Sequence, residues 1–378
     1  MGKDAILVLQ GGGALGAYEC GVYKALVPHF EREGYSLSVV AGTSIGAINA
    51  SVIASRYHQD KDRGVRALED LWTQRLATPS VPFFPPLPIF DPYNAVWTDL
   101  LFGNRHLFTP YFFGWNFVAP IVWGAFTQFY DTGAMRKTLT EVFAPGGRYR
   151  GAEPRLIVTA VDVQNGLLNA FDSGEEPITI DDVMASCALP PWFPDEPLDG
   201  RHYWDGGLSS NTPLREALNA LQHNTPPGSL PDEYHVFIVS LFPRESVLPK
   251  TNWEVWSRIN QITFGDRTEF EEKVTDVMNS YLLFVKTALG AAQELSAASP
   301  LRKLVEQEAH KLKGQRRVGL NITRIQRQAR TDELISREID FSPRQIEALI
   351  AQGYRDTCHE LKQSEQKESS VVKLAVAG

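Results

Sequence analysis

Cysteine is scarce in this 378-residue chain, and the three present, Cys20, Cys187 and Cys358, lie far apart with no CxxC pair. A structural zinc site and a disulfide framework are thereby excluded, and a reducing compartment is the expected setting. Positive charge is not in excess either: 37 Lys and Arg stand against 45 Asp and Glu, a net charge of −8. That removes the broad basic footprint of a nucleic-acid binder. No export signal is legible, because Ala5–Leu9 is too short for a signal-peptide core and runs straight into glycines. Ile6 stands where a myristoylation signal needs Ser or Thr. The nearest approach to a membrane span, Leu107–Tyr130, lacks acidic and basic side chains, yet two prolines, two glycines, Asn116 and Gln128 interrupt it. It would make a poor spanning helix. A cytoplasmic protein, at most peripheral at a membrane, is expected.

What is present fits a folded globular protein. Hydrophobic residues make up 43% and charged residues 22%, enough for two domains or one large domain with an appendage. Ala5–Leu9 is a continuous apolar run, as in a buried parallel strand. Leu15, Tyr18, Val22, Leu26 and Phe30 then recur at three and four, giving one helical face. Leu37–Ala41 reads as a second buried strand, followed by a helix with Ile45, Ile48 and Val52 inward and a third over Val65–Leu76. Further strands are expected at Arg155–Val161, Leu168–Phe171, His202–Trp204 and His235–Leu241. The rhythm predicts a three-layer α/β/α fold with a mostly parallel sheet.

Residues 79–130 break the rhythm, with eight prolines and sixteen of the chain's forty aromatic residues, among them Phe83, Phe84, Phe90, Trp97, Phe112, Phe113, Trp115 and Trp123. Such density must leave water, either as an irregular buried cap or as a lid facing an acyl chain or lipid surface. Gln222–Asp232 reads as a linker. From about Glu245 the pattern turns mainly helical, with Arg316, Arg317, Arg324, Arg327 and Arg330 crowded into what is expected to be a solvated face. A frayed tail ends the chain.

Three glycine-rich motifs carry chemistry. Gly11-Gly12-Gly13-Ala14-Leu15-Gly16 matches GxGxxG between a strand and a helix, so a dinucleotide site must be weighed. A nicotinamide site wants a ribose-binding acid at the end of the second strand. There stands Gly42-Thr43-Ser44-Ile45-Gly46 instead, a G-x-S-x-G turn that would push a serine Oγ out at the sheet edge. With Ser44 as nucleophile, Gly11, Gly12 and Gly13 are better read as an oxyanion hole, their N–H groups brought close by the missing side chains. A serine needs a base. Of eight histidines none but His202 is placed near a loop that follows a strand, and its odd offset from Asp205 turns it to the opposite face. Trp204-Asp205-Gly206-Gly207 ends that strand, and the two glycines free Asp205 to face the same edge.

Those motifs, with Ala188-Leu189-Pro190-Pro191 before the carboxylate strand and Leu208-Ser209-Ser210-Asn211-Thr212-Pro213 after it, resemble the patatin-like phospholipase family. The resemblance spans about residues 5–220, with residues 245–365 resembling the extra C-terminal domain of a bacterial subgroup and 366–378 a flexible tail. It implies a Ser44–Asp205 dyad, an oxyanion loop at Gly11 to Gly13, motif glycines Gly16, Gly42, Gly46, Gly206 and Gly207, and neither metal nor organic cofactor. Many members have Arg where Leu15 stands and some have Ala where Gly207 stands. Without that Arg the resemblance does not extend to recognition of anionic head groups, though it leaves the dyad intact. A serine acyl hydrolase acting on a lipid or other acyl ester is expected. Two rivals are an esterase or thioesterase on hydroxyalkanoate-type substrates and, more remotely, a nucleotide-binding dehydrogenase.

Overall fold

The computed structural model describes residues 3–57, 61–81, 91–111, 127–151, 154–223, 233–312, 319–328 and 337–377. Eight strands form one sheet: β1 (Lys3–Leu9), β2 (Tyr35–Thr43), β3 (Arg155–Asp162), β4 (Leu168–Asp172), β5 (Glu196–Leu198), β6 (Arg201–Asp205), β7 (Glu233–Ser240) and β8 (Gly319–Gln326). Their spatial order is β8-β7-β1-β2-β3-β6-β5, with β4 also on β3. The five strands from β8 to β3 run parallel, and β4, β5 and β6 pair antiparallel. Side chains of β1 alternate between two core layers, Ala5, Leu7 and Leu9 to one and Ile6 and Val8 to the other. A parallel strand buried on both faces has to be apolar throughout, as Ala5–Leu9 is.

Helices α1 (Ala17–Glu33), α2 (Ile45–Arg56) and α3 (Lys61–Asp70) follow the first two strands, and α1 and α2 pack in the larger core layer. The aromatic insertion contains a regular helix, α4 (Asp91–Phe102), where the sequence suggested irregular chain. Of its described aromatics, Phe108 and Tyr130 are buried in the larger core layer, Trp97 is half-buried and Phe102 is exposed. Phe83, Phe84, Phe90, Phe112, Phe113, Trp115 and Trp123 lie outside the described residues, as do most of the expected linker and Arg316, Arg317 and Arg330. After α5 (Gly133–Val142), α6 (Ile180–Ser186) opens with a reciprocal Thr179–Asp182 capping box, and α7 (Leu214–His223) covers the second sheet face.

The C-terminal region is helical, with α8 (Asn252–Thr263), α9 (Thr268–Ala292), α10 (Pro300–Lys311) and α11 (Pro343–Ala377), the last running through the residues expected to fray. It also contributes β8, which extends the same sheet beside β7. Helix α11 returns to α1, where a Cβ on Gly353 would lie 2.1 Å from the Tyr18 carbonyl oxygen and one on Gly21 1.9 Å from that of Ile350. Among the described residues no helix is long and apolar enough to cross a membrane.

Candidate active site

Strand β2 ends in a turn that only a few backbone conformations allow. Ser44 sits at φ 57°, ψ −125° between β2 and α2, an unfavourable conformation for a residue with a side chain. Hydrogen bonds hold it there: the Ser44 N–H donates to Ser186 Oγ at 2.9 Å, and its carbonyl accepts from Ala47 and Ile48. The flanking glycines make the turn sterically feasible. A Cβ on Gly42 would lie 2.2 Å from the Gly46 carbonyl oxygen, and one on Gly46 would lie 2.6 Å from that of Leu9. Beneath the turn, Thr43 and Thr159 share a buried hydroxyl pair at 2.7 Å.

The register of β3 brings the carboxylate to the serine. Val158 pairs with Gly42 of β2 and with Phe171 of β4, so these strands take opposite edges of β3. Ala160 and Val161 pair with both β4 and β6, which puts β6 on the β2 edge, running in from the other end. Thr43 faces Thr159 and Asp205 faces Ala160. The two strands thus meet head to head, and Ser44 and Asp205 leave their ends side by side. Asp205 is buried; its N–H donates to the Ala188 carbonyl, and its Oδ1 accepts from the Gly207 N–H at 2.7 Å. Burial pushes its carboxyl up to about 6, opposed by hydrogen bonds donated by the Ser44 hydroxyl and the Gly207 amide.

The glycine loop lies against both residues. A Cβ on Gly11 would come within 3.0 Å of Ser44 Cβ and 2.4 Å of Asn211 Oδ1. The Gly11 N–H is spent on the Asn211 carbonyl at 3.3 Å, while Asn211 Nδ2 donates back to the Gly11 carbonyl at 3.0 Å. Gly11 is thereby tied to Asn211, and Gly11, Gly12 and Gly13 all line the cavity. Gly13 adopts φ +56° directly beneath the Glu338 carbonyl oxygen, 2.3 Å from where a Cβ would stand. Leu15, in the position where Arg was the alternative, is buried and does not reach the cavity. Behind the loop, Asn49 of α2 donates to the Gly16 carbonyl and to Glu19, and accepts from the Trp72 indole. Burial pushes the Glu19 carboxyl up to about 8, so it stands neutral in this clamp between α1 and α2.

These groups open into a cavity of about 280 Å³. Its wall is mainly apolar, with Ile48, Met135, Leu189 and Phe193 from the body. Leu100, Leu107, Phe108 and Tyr130 come from the aromatic insertion, and Trp256, Phe264, Ile339 and Phe341 come from the C-terminal region. The Phe264 carbonyl is fixed by two donors, Gln10 Nε2 and Asn211 Nδ2, each at 2.9 Å. Among the described residues lining the cavity there is no histidine. His202 is exposed and pairs with Asp195. Sequence reasoning missed Ser186, Gln10, Phe264 and Glu338; for the last two only a main-chain oxygen is used, which no residue type advertises. Together the site brings a serine hydroxyl, a buried carboxylate, a glycine loop and an apolar wall to one cavity. That set suits acyl transfer.

A family model described as patatin-like phospholipase matches residues 7–218, and a second, described as patatin phospholipase, matches residues 273–372. No curated protein matches the chain. Among solved structures, the crystal structure of VipD from Legionella pneumophila is similar at a TM-score of 0.37 and 14% identity, over 96% of this chain and 67% of that one.

Proposed function

This chain belongs to the patatin-like phospholipase family, a family of lipid acyl hydrolases, and from that premise we propose that it cleaves fatty acyl esters by a Ser44–Asp205 dyad through an acyl-enzyme. The observation that carries the reading is the strand register that sets Ser44 beside the buried Asp205, with both residues and the glycine loop lining one cavity. Asp205 accepts the Ser44 proton as Oγ attacks the ester carbonyl carbon. The negative charge then developing on the carbonyl oxygen is met by the Gly12 and Gly13 N–H groups and the amino end of α2. As the tetrahedral species collapses, the C–O bond to the alcohol breaks and Asp205 returns the proton to the leaving oxygen. Water repeats the sequence on the acyl-Ser44 ester, with Asp205 again as base. The apolar wall takes the acyl chain.

A fluorophosphonate probe tests this directly. Covalent labelling at Ser44, absent in Ser44→Ala and strongly slowed in Asp205→Asn, is the expected result. Equal labelling of Ser44→Ala would place the nucleophile elsewhere. Turnover of a panel of phospholipids, triacylglycerols and short p-nitrophenyl esters then identifies the ester class.

A further inference from the structure

Much of the large apolar surface this protein leaves exposed belongs to helices α8 and α9, and it begins at the mouth of the cavity. Trp256 forms part of the cavity wall yet is 63% exposed, so it stands at the rim. Ile259 and Ile262 continue outward along the same helix. Beyond them α9 presents Phe270, Val277 and Phe284, exposed by 72%, 67% and 67%. Only Thr268, Val285 and Ala292 of α9 are buried, and no residue of α10, so these two helices form a projecting arm. A helix without a buried face does not stand alone in water. Large apolar side chains exposed at seven-residue spacing along one helix, beside a cavity rim that carries Trp256, mark a docking site.

We infer that this rim and arm dock onto the surface of an uncharged or zwitterionic lipid phase. The inference rests on the acyl-hydrolase reading of the cavity. Continuity with the mouth selects the occupant: a protein seated over Trp256 would close the entrance, whereas a lipid phase seated there delivers substrate to it. Trp256 has the ring chemistry favoured at a lipid–water boundary. Charge selects the kind of lipid. Residues 244–311 hold nine Lys and Arg against ten Asp and Glu, so no polybasic face attracts an anionic bilayer. Apolar insertion has to supply the affinity. This contact surface on the C-terminal helices is separate from the lid expected over residues 79–130, whose exposed-aromatic candidates Phe112, Phe113 and Trp115 lie outside the described residues.

The test is co-flotation of the full-length protein with phosphatidylcholine vesicles, using Ser44→Ala protein so that binding is read without turnover. Binding is expected to be insensitive to salt and to added phosphatidylglycerol, in contrast to an electrostatic association. The triple variant Phe270→Glu, Val277→Glu, Phe284→Glu should lose about tenfold or more in binding, while on the Ser44 background its hydrolysis of a short soluble ester is unchanged. The single variants Phe270→Glu and Phe284→Glu give the same reading should the triple variant fold poorly. Three results would overturn the inference: no binding by the parent protein, binding that collapses with salt, or variants that bind as well as the parent. Sedimentation decides the competing occupant: a dimer that the variants dissociate while vesicle binding persists would make the arm a contact between two copies. Failure of ester turnover with vesicle binding intact would instead strike at the dyad reading.

Discussion

Burial pushes the Asp205 carboxyl up to about 6 against the hydrogen bonds from Ser44 and the Gly207 amide, so its charge appears within the working range of an enzyme. Below that pH the base is protonated, and kcat/KM should fall about tenfold per pH step on the acid side. The same shift bears on stability with a definite sign. A carboxyl raised above its unfolded value stabilises the fold below about pH 4, and that contribution is lost as pH rises through about 6. Ionised Asp205 at pH 8 thus costs on the order of 2–3 kcal/mol. Asp205→Asn should therefore melt higher than the parent at pH 8, with the gain vanishing near pH 4, while ester turnover drops by about 100-fold or more. A lower melting temperature at pH 8 would contradict that account. Ser186 tests the other half of the dyad. Its Oγ receives the N–H of a residue at φ 57°, so Ser186→Ala should cost about 1–2 kcal/mol of stability and lower kcat more than KM, as thermal melts and steady-state kinetics with a short ester would show.

Between elements, the closest approach is the crossing of α1 and α11. Tyr18 donates its hydroxyl to Asp356 across it, and the glycine pair keeps the two backbones in contact. A side chain at Gly353 must part the helices, because the obstruction is a main-chain oxygen that cannot rotate away. Gly353→Val should cost about 3 kcal/mol, read as a lowered melting temperature, whereas Gly290→Ala, with open space around it, should change little. The elements most legible beforehand were those whose signal is local. The apolar run of β1, the helical spacing from Leu15 to Phe30 and the glycine-bracketed Ser44 each declare themselves within a few residues. Strand β8 did not: Gly-Leu-Asn-Ile-Thr-Arg-Ile-Gln mixes polar residues into a sheet edge, and Arg324 is spent pairing with Glu272. Helix α4 was hidden by prolines on both sides of it. Ser186 is an ordinary serine at a helix end, and its service to Ser44 spans more than a hundred residues of chain.

Taken whole, the eight-stranded sheet uses strands from both regions matched by the family models, with β8 paired to β7 and β7 paired to β1. The cavity likewise draws its wall from both sides of residue 245. A chain ending near residue 243 would lack β8, α11 and the groups around Gly13. It should fail to melt cooperatively and should not react with a fluorophosphonate, measurable by calorimetry and gel labelling. A cooperative melt with full labelling would show that residues 3–243 suffice. The bridge between the regions is the Phe264 carbonyl, gripped by Gln10 and Asn211 at the root of the glycine loop. That bridge has a consequence in time. During synthesis Ser44 and then Asp205 leave the ribosome well before Phe264, and Glu338 comes later still. The nascent chain thus carries the proposed nucleophile and base while the loop beside them lacks its Phe264 anchor and the cavity lacks its C-terminal wall. On the proposed mechanism, hydrolytic competence arrives only once Phe264 and Glu338 have been made and have folded back, so a chain interrupted before them is released without it.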